Sequence, residues 1–193
     1  AKLRPWDLST PPLIIWNHRW EFEKRPEMFF AALDGVLSID LEFRLALLGE
    51  NFQVVPKPFL RAREKYGERI VQYGYEPSRQ KYLEWLKRGV VVVSTAIQEN
   101  FGISVVEAIR HGCYPILPNS LSYPELIPLE YQDDCLYRSQ AELAEKLSFP
   151  LRKPEKFVEK REGLASQMER YSWDLVIEQY DNELEKLAAL PSG

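Results

Sequence analysis

Apolar residues in this chain come in short uninterrupted runs, separated by longer stretches in which apolar and polar positions mix. Leu13-Ile14-Ile15-Trp16 and Val90-Val91-Val92-Val93 are the clearest runs. Four consecutive β-branched residues without alternation describe a strand covered on both faces, as in a parallel sheet. Further strands are expected over 43–48, where Gly49-Glu50-Asn51 closes the run, over 69–75 and 115–117, and at an edge over 135–137. Helices fill the intervals. One opens on Pro26 and runs to about Leu33, and one spans Pro58 to Tyr66, closed by Gly67. Another is capped by Ser78 and reaches Arg88, and a fourth spans Ile103 to His111, stopped by Gly112. A short helix is expected at 121–126, with longer ones at 139–148, 154–169 and 172–189, the last capped by Ser172. Strand and helix alternate from 13 to 137. That pattern predicts an α/β fold, a Rossmann-like doubly wound parallel sheet with right-handed crossovers and a ligand site at the strands' carboxyl ends.

The 193 residues, 45% hydrophobic and 28% charged, suit one well-buried domain, expected over 13–193, with the proline-interrupted residues 1–12 as a linker. Five Trp, ten Tyr and nine Phe exclude a disordered polar chain. No run is long and apolar enough for a membrane span or a signal peptide. Cys113 and Cys135 are too few for a disulfide framework or a zinc site, so a reducing cytoplasm is expected. The net charge of −4 argues against a dedicated nucleic-acid module. Residues 57–88 are nonetheless locally basic, through Lys57, Arg61, Arg63, Lys65, Arg69, Arg79, Lys81, Lys87 and Arg88, a patch open to two readings: solvated helix faces or a contact to phosphates.

Candidate chemistry concentrates in two loops that follow strands. Glu99 and Glu107 form an E-x7-E pair across the Phe101-Gly102 turn, one on each side of a helix N-terminus. Backbone N–H groups without helical partners favour an anion there, and carboxylates accept hydrogen bonds from hydroxyl-rich groups. A nucleotide-sugar suits such a site. Arg19 and Lys24, in the loop after the first strand, would share its edge of the sheet and could hold a diphosphate. The plainer alternative pairs them with Glu21 and Glu23 of their own loop. His18 reads equally as a ligand-facing or a packed histidine. His111 reads as a helix C-terminal partner, Cys113 as a buried apolar residue, and Glu125 as a pocket acid or a helix N-terminal carboxylate. The dinucleotide fingerprint G-x-G-x-x-G is absent.

Taken in order, the Arg19-x4-Lys24 loop, the valine run, Glu99-x-Phe101-Gly102-x4-Glu107, then Gly112 and Pro115-Ile116 resemble the carboxyl-terminal donor-binding domain of GT-B glycosyltransferases, specifically the retaining family 4. The resemblance covers about residues 13–128. It implies the C-terminal half of a GT-B fold, with the acceptor-binding N-terminal domain preceding Ala1. It also implies site roles. Arg19 and Lys24 bind the donor diphosphate, Glu99 contacts the transferred sugar, Glu107 takes the nucleotide ribose, and backbone at Phe101 and Gly102 touches sugar or phosphate. Glu99, Arg19 and Lys24 are then the catalytic set, with no metal and no cofactor beyond the nucleotide-sugar donor.

A narrower likeness rests on Trp16-Asn17-His18-Arg19-Trp20-Glu21, Ser94-Thr95-Ala96, Glu99-Asn100-Phe101-Gly102, Gly112-Cys113-Tyr114-Pro115 and Tyr123-Pro124-Glu125. These are similar to a branch of family 4 that mannosylates queuosine in tRNA. That likeness implies GDP-mannose as donor, tRNA as partner and no membrane. His18 and Asn100 stand where family 4 usually has Gly. The alternatives are a non-catalytic nucleotide-sugar-binding domain, or a family 4 enzyme with a lipid or saccharide acceptor.

Overall fold

The computed structural model describes residues 3–50 and 54–172, together with 176, 177, 181 and 185. The helix expected over 172–189 lies largely outside the described residues. Among the described residues six strands build one parallel sheet: β1 (Leu13–Trp16), β2 (Arg44–Leu47), β3 (Ile70–Tyr73), β4 (Val91–Val93), β5 (Tyr114–Pro118) and β6 (Leu136–Tyr137), in the order β3-β2-β1-β4-β5-β6. Every residue of β1, β4 and β5 is buried. This is the outcome the valine run predicts, since helices cover both faces. The edge strand β3 is only half-buried throughout.

Among the described residues, helices α1 (Pro26–Leu37), α2 (Lys57–Tyr66), α3 (Arg79–Arg88), α4 (Ile103–Arg110), α5 (Tyr123–Leu126), α6 (Leu129–Cys135), α7 (Gln140–Arg152) and α8 (Val158–Met168) connect and flank the strands. Two layers follow from their packing. α1 touches α2 and α7 on one face, whereas α4 touches α3 and α8 on the other. Caps anticipated from the sequence form: Ser78 Oγ accepts from the Lys81 N–H at 3.3 Å, beginning α3.

Some elements differ from the sequence expectation. α6 has no mark in the sequence, because residues 129–135 carry too few apolar positions to show a helical period; it starts directly after Pro128. The helix expected over 154–169 begins as a 3-10 turn, Pro154–Phe157, before α8. α7 runs on to Arg152 through Pro150. The basic stretch 57–88 fits the reading of separate helix faces rather than one surface, since α2 and α3 lie on opposite faces of the sheet and six of its nine cations are engaged. Lys65 pairs with Asp34, Arg69 with Glu42, Arg79 with Glu107 and Lys87 with Glu84, while Arg63 lies over Tyr73 and Arg88 over Trp85.

The segment before β1 is packed on the domain. Trp6 is buried, its Nε1 donates to the Gly89 carbonyl at 2.9 Å, and the buried Arg161 guanidinium lies 4.3 Å from its ring centroid while donating to the Arg4 carbonyl. Among the described residues no helix is long and apolar enough to cross a membrane.

Candidate functional site

In the strand order, β1 and β4 are neighbours, with Ile14 opposite Val91 and Ile15 opposite Val92. Their helices leave on opposite faces, so the loops 17–25 and 94–102 face each other across the switch point, where open α/β sheets bind ligands.

The first loop is held rigidly from below. The Trp20 ring stacks on Phe59 at 4.1 Å with an interplanar angle of 9°, and the Trp20 backbone N–H donates to the Glu50 carbonyl at 3.0 Å. Gly49 is required for this closeness, since a Cβ there would lie 2.1 Å from both the His18 carbonyl oxygen and the Trp20 ring. His18 is the packed histidine of the two alternatives. Its Nε2 lies 3.2 Å from the Val93 carbonyl, its ring meets Trp16 edge-on at 5.4 Å, and burial, reinforced by the Lys24 charge, lowers its pKa to about 4. It is therefore neutral near pH 7, with the proton on Nε2 so that it donates to Val93.

Lys24 and Glu99 meet at the centre of the site. Lys24 is buried, and its Nζ lies 3.1 Å from Glu99 Oε2 and 3.0 Å from the Gln98 carbonyl. The other carboxylate oxygen, Oε1, accepts the N–H of Asn100 and of Gly102, each at 3.1 Å. Burial alone would raise the Glu99 pKa, but the Lys24 hydrogen bond and charge, with the Gly102 N–H and the nearby His18, hold it below the ordinary carboxylate value. Thr95 ties the loops together, its Oγ1 donating to the Lys24 carbonyl at 2.6 Å, and the Ile97 N–H donates to the Glu23 carbonyl at 2.8 Å.

Gly102 caps α4 with φ +86°, and a Cβ there would stand 3.1 Å from the Tyr123 ring. Tyr123 is fixed in turn: its hydroxyl lies 2.8 Å from Ser94 Oγ, and Tyr137 donates to the Ser94 carbonyl at 2.9 Å. Phe101 is partly exposed, its ring edge-on to Tyr171 at 5.2 Å.

The sequence reading placed four side chains around one ligand, and the geometry divides them. Lys24 and Glu99 come together. Arg19 stays in its own loop, 3.0 Å from Glu21 and 3.8 Å from Glu23, as the plainer alternative held for it but not for Lys24. Glu107 faces α3, where Arg79 pairs with one carboxylate oxygen and the Tyr82 hydroxyl donates to the other at 3.3 Å. Asn17, Ser94, Thr95 and Tyr123 enter the sequence reading only as letters of the narrower likeness, without a site role, and Tyr82 does not enter it. Only spacing to a distant loop makes them site residues, and no local pattern marks that. Glu125 is exposed on α5, His111 caps α4 through Nδ1 at 2.8 Å from the Glu107 carbonyl, and the buried Cys113 thiol donates to the Leu86 carbonyl. Burial pushes that thiol's pKa well above its usual value, which leaves it no role as a nucleophile.

Residues 4–168 match the family described as glycosyl transferases group 1. The chain belongs to this glycosyltransferase family. Its sheet and helices form the C-terminal half of a GT-B fold. Over 149 residues it is 38% identical to a tRNA-queuosine alpha-mannosyltransferase of Drosophila melanogaster, covering 77% of this chain and 38% of that protein. A GDP-mannose:cellobiosyl-diphosphopolyprenol alpha-mannosyltransferase of Xanthomonas oryzae is 24% identical over 92% of this chain and 48% of its own length. The chain thus spans less than half the length of these curated relatives. Among solved structures, a sucrose-phosphate synthase from Thermosynechococcus elongatus superposes with a TM-score of 0.76 at 17% identity, over 93% of this chain and 46% of that one. The catalytic domain of a cholesterol-alpha-glucosyltransferase from Helicobacter pylori gives 0.67 at 22% identity, over 84% of this chain and all of that one.

Proposed function

We propose that this chain is the donor-binding half of a retaining mannosyltransferase that uses GDP-mannose and acts on queuosine in tRNA, in the cytoplasm. The observation that carries the reading is the Lys24–Glu99 pair at the amino end of α4, on the two loops that meet at the switch point. The identity to the Drosophila tRNA-queuosine enzyme supports the choice of acceptor, and two GDP-mannose enzymes among the relatives support the donor.

In this reading the diphosphate lies against the first turn of α4, where the N–H groups and helix dipole favour an anion. Lys24 turns from Glu99 to the phosphates, and Arg19 leaves its exposed pairs with Glu21 and Glu23, each worth at most about 1 kcal/mol, to join it. Glu99, still anchored by the Gly102 N–H, then has an oxygen for the hydroxyls of the transferred sugar. Glu107 takes the ribose, and backbone at Phe101 and Gly102 contacts sugar or phosphate. As the sugar leaves, the two cations and the helix end stabilise the charge on the departing diphosphate, so the scheme calls for no metal. The acceptor site and any group that handles the acceptor's proton belong to a further domain in this reading, so the chain by itself binds donor without turnover.

Calorimetric titration of this chain with GDP, UDP, GDP-mannose and UDP-glucose, with Arg19→Ala as control, tests the reading. Selective binding of the guanine nucleotides, weakened in the variant, is expected. Selective binding of uridine nucleotides would discard GDP-mannose and keep a glycosyltransferase with another donor.

A further inference from the structure

Glu107 is held by a hydrogen-bonded chain that begins in the loop after β1. Asn17 is buried at the carboxyl end of β1, and its Nδ2 donates to the Ser104 carbonyl at 2.8 Å and to the Tyr82 hydroxyl at 3.0 Å. Both amide protons are thereby used. The amide orientation is not arbitrary, because the Ser104 carbonyl can only accept; the nitrogen must face it. Asn17 Oδ1 correspondingly has no hydrogen-bond partner among the described residues.

The direction of the next bond follows from the same bookkeeping. The Tyr82 oxygen accepts from Asn17, so its proton is available to Glu107 Oε2, 3.3 Å away. Arg79 holds the other carboxylate oxygen and lies over the Tyr82 ring, 5.4 Å from its centroid. Arg79 is mostly exposed, whereas Tyr82 is half-buried and Asn17 buried. The ion pair can therefore open to solvent while the Tyr82 bond stays.

We propose that Tyr82 and Asn17 are positioning residues that fix the Glu107 carboxylate for the two hydroxyls of a nucleotide ribose, and so set discrimination of ribonucleotides from nucleotides lacking those hydroxyls. This rests on the ribose role given to Glu107 above. The chain is directional: the Ser104 backbone orients Asn17, Asn17 orients the Tyr82 hydroxyl, and Tyr82 orients Glu107. Ser104 and Glu107 lie on the same helix, so the device closes on itself and ties the β1 loop to α4. A carboxylate held at one oxygen by a half-buried donor that is itself anchored presents its remaining lone pairs in a set direction, which a carboxylate held only by an exposed arginine would not.

The test compares GDP with 2′,3′-dideoxy-GDP by calorimetry on this chain, in the wild type, Tyr82→Phe, Asn17→Asp and Glu107→Gln, with thermal melts to confirm folding. In Tyr82→Phe, GDP affinity is expected to fall by about five- to tenfold, the effect of one ordinary net hydrogen bond. Affinity for the dideoxy nucleotide should stay within about twofold of wild type, since that ligand has no ribose hydroxyl to lose. Asn17→Asp, which keeps the shape but removes both donors, should move GDP in the same direction. Equal losses for both nucleotides in Tyr82→Phe would mean a general structural role and overturn the proposal. So would an unchanged Tyr82→Phe beside a Glu107→Gln variant that has lost discrimination. If Glu107→Gln itself leaves the ratio of the two affinities unaltered, the ribose role of Glu107 fails and the positioning role falls with it. A wild type that binds neither nucleotide refutes the donor-site reading itself.

Discussion

Lys24 and Glu99 stand 75 positions apart in the chain and meet at 3.1 Å, with nine-tenths of the lysine side chain and four-fifths of the carboxylate removed from solvent. Each neutralises a charge that would otherwise be costly to bury. Lys24→Met leaves Glu99 with only backbone donors and should destabilise the chain by about 2–3 kcal/mol, below the 3–5 typical of a fully buried pair because some solvent reaches this one. Urea unfolding measures the loss, and the Glu99 carboxyl, followed by NMR titration, should rise in pKa. An unchanged midpoint would show that the pair contributes nothing net.

Gly102 meets two demands at once, a left-handed backbone at φ +86° and a flat approach to Tyr123. Gly102→Ala should cost about 1–2 kcal/mol from the backbone alone. The methyl group must also displace the Tyr123 ring, which Ser94 holds by its hydroxyl. A melting-temperature decrease accompanied by weaker nucleotide binding is expected. A drop in stability without any change in binding would separate the turn from the ligand site.

His18 makes stability depend on pH in a defined window. Its folded pKa of about 4 lies below the ordinary value of 6.5, so the unfolded chain binds the proton more readily. The neutral form's contribution is fully present above pH 6.5 and is lost as pH falls toward 4. The loss over that window is about 3 kcal/mol, taking 1.36 kcal/mol per pKa unit. Denaturation between pH 7 and 4 should show this slope, and His18→Gln should flatten it. A slope the variant does not change would assign the acid sensitivity to carboxylates instead.

Cys113 and Cys135 are both fully buried, and burial raises both thiols, Cys135 to about 12. Neither should react with a disulfide reagent such as DTNB at pH 8 in the folded chain, and both should react in denaturant. Rapid labelling of one thiol in the native state would expose an opening of the α6–β6 region or of the β5 entrance.

Much of the architecture is determined by the sequence itself. The runs at 13–16 and 90–93 can be satisfied only by burial on both faces, and Ser78, Pro26 and Gly112 mark helix ends whose backbone groups need a partner or a special conformation. Alternation of strand and helix then leaves few topologies, so the sheet and the two loops at its carboxyl edge were legible in advance. Family motifs point to Arg19, Lys24, Glu99, Phe101, Gly102 and Glu107, and of these the fold joins Lys24, Glu99 and Gly102 directly. Helix α6, with its sparse apolar positions, was not legible, because it is held by packing against β5 and β6 rather than by its own pattern.

Pairing across distant segments was decided only by the tertiary structure. Lys24 has acids one and three residues before it, Glu23 and Glu21, yet its ion pair is with Glu99, because the bonds from Thr95 and Ile97 bring the two loops together in the interior. Arg19, on the exposed side of the same loop, keeps its local partners. The basic stretch 57–88 reads as one patch along the chain and becomes two, since the switch in winding direction after β3 sends α2 and α3 to opposite faces. Asn17, Tyr82 and Glu107 form one network for the same reason: strand order places β1 between β2 and β4, and a hydrogen bond is a matter of a few tenths of an ångström in space, which spacing along a chain does not encode.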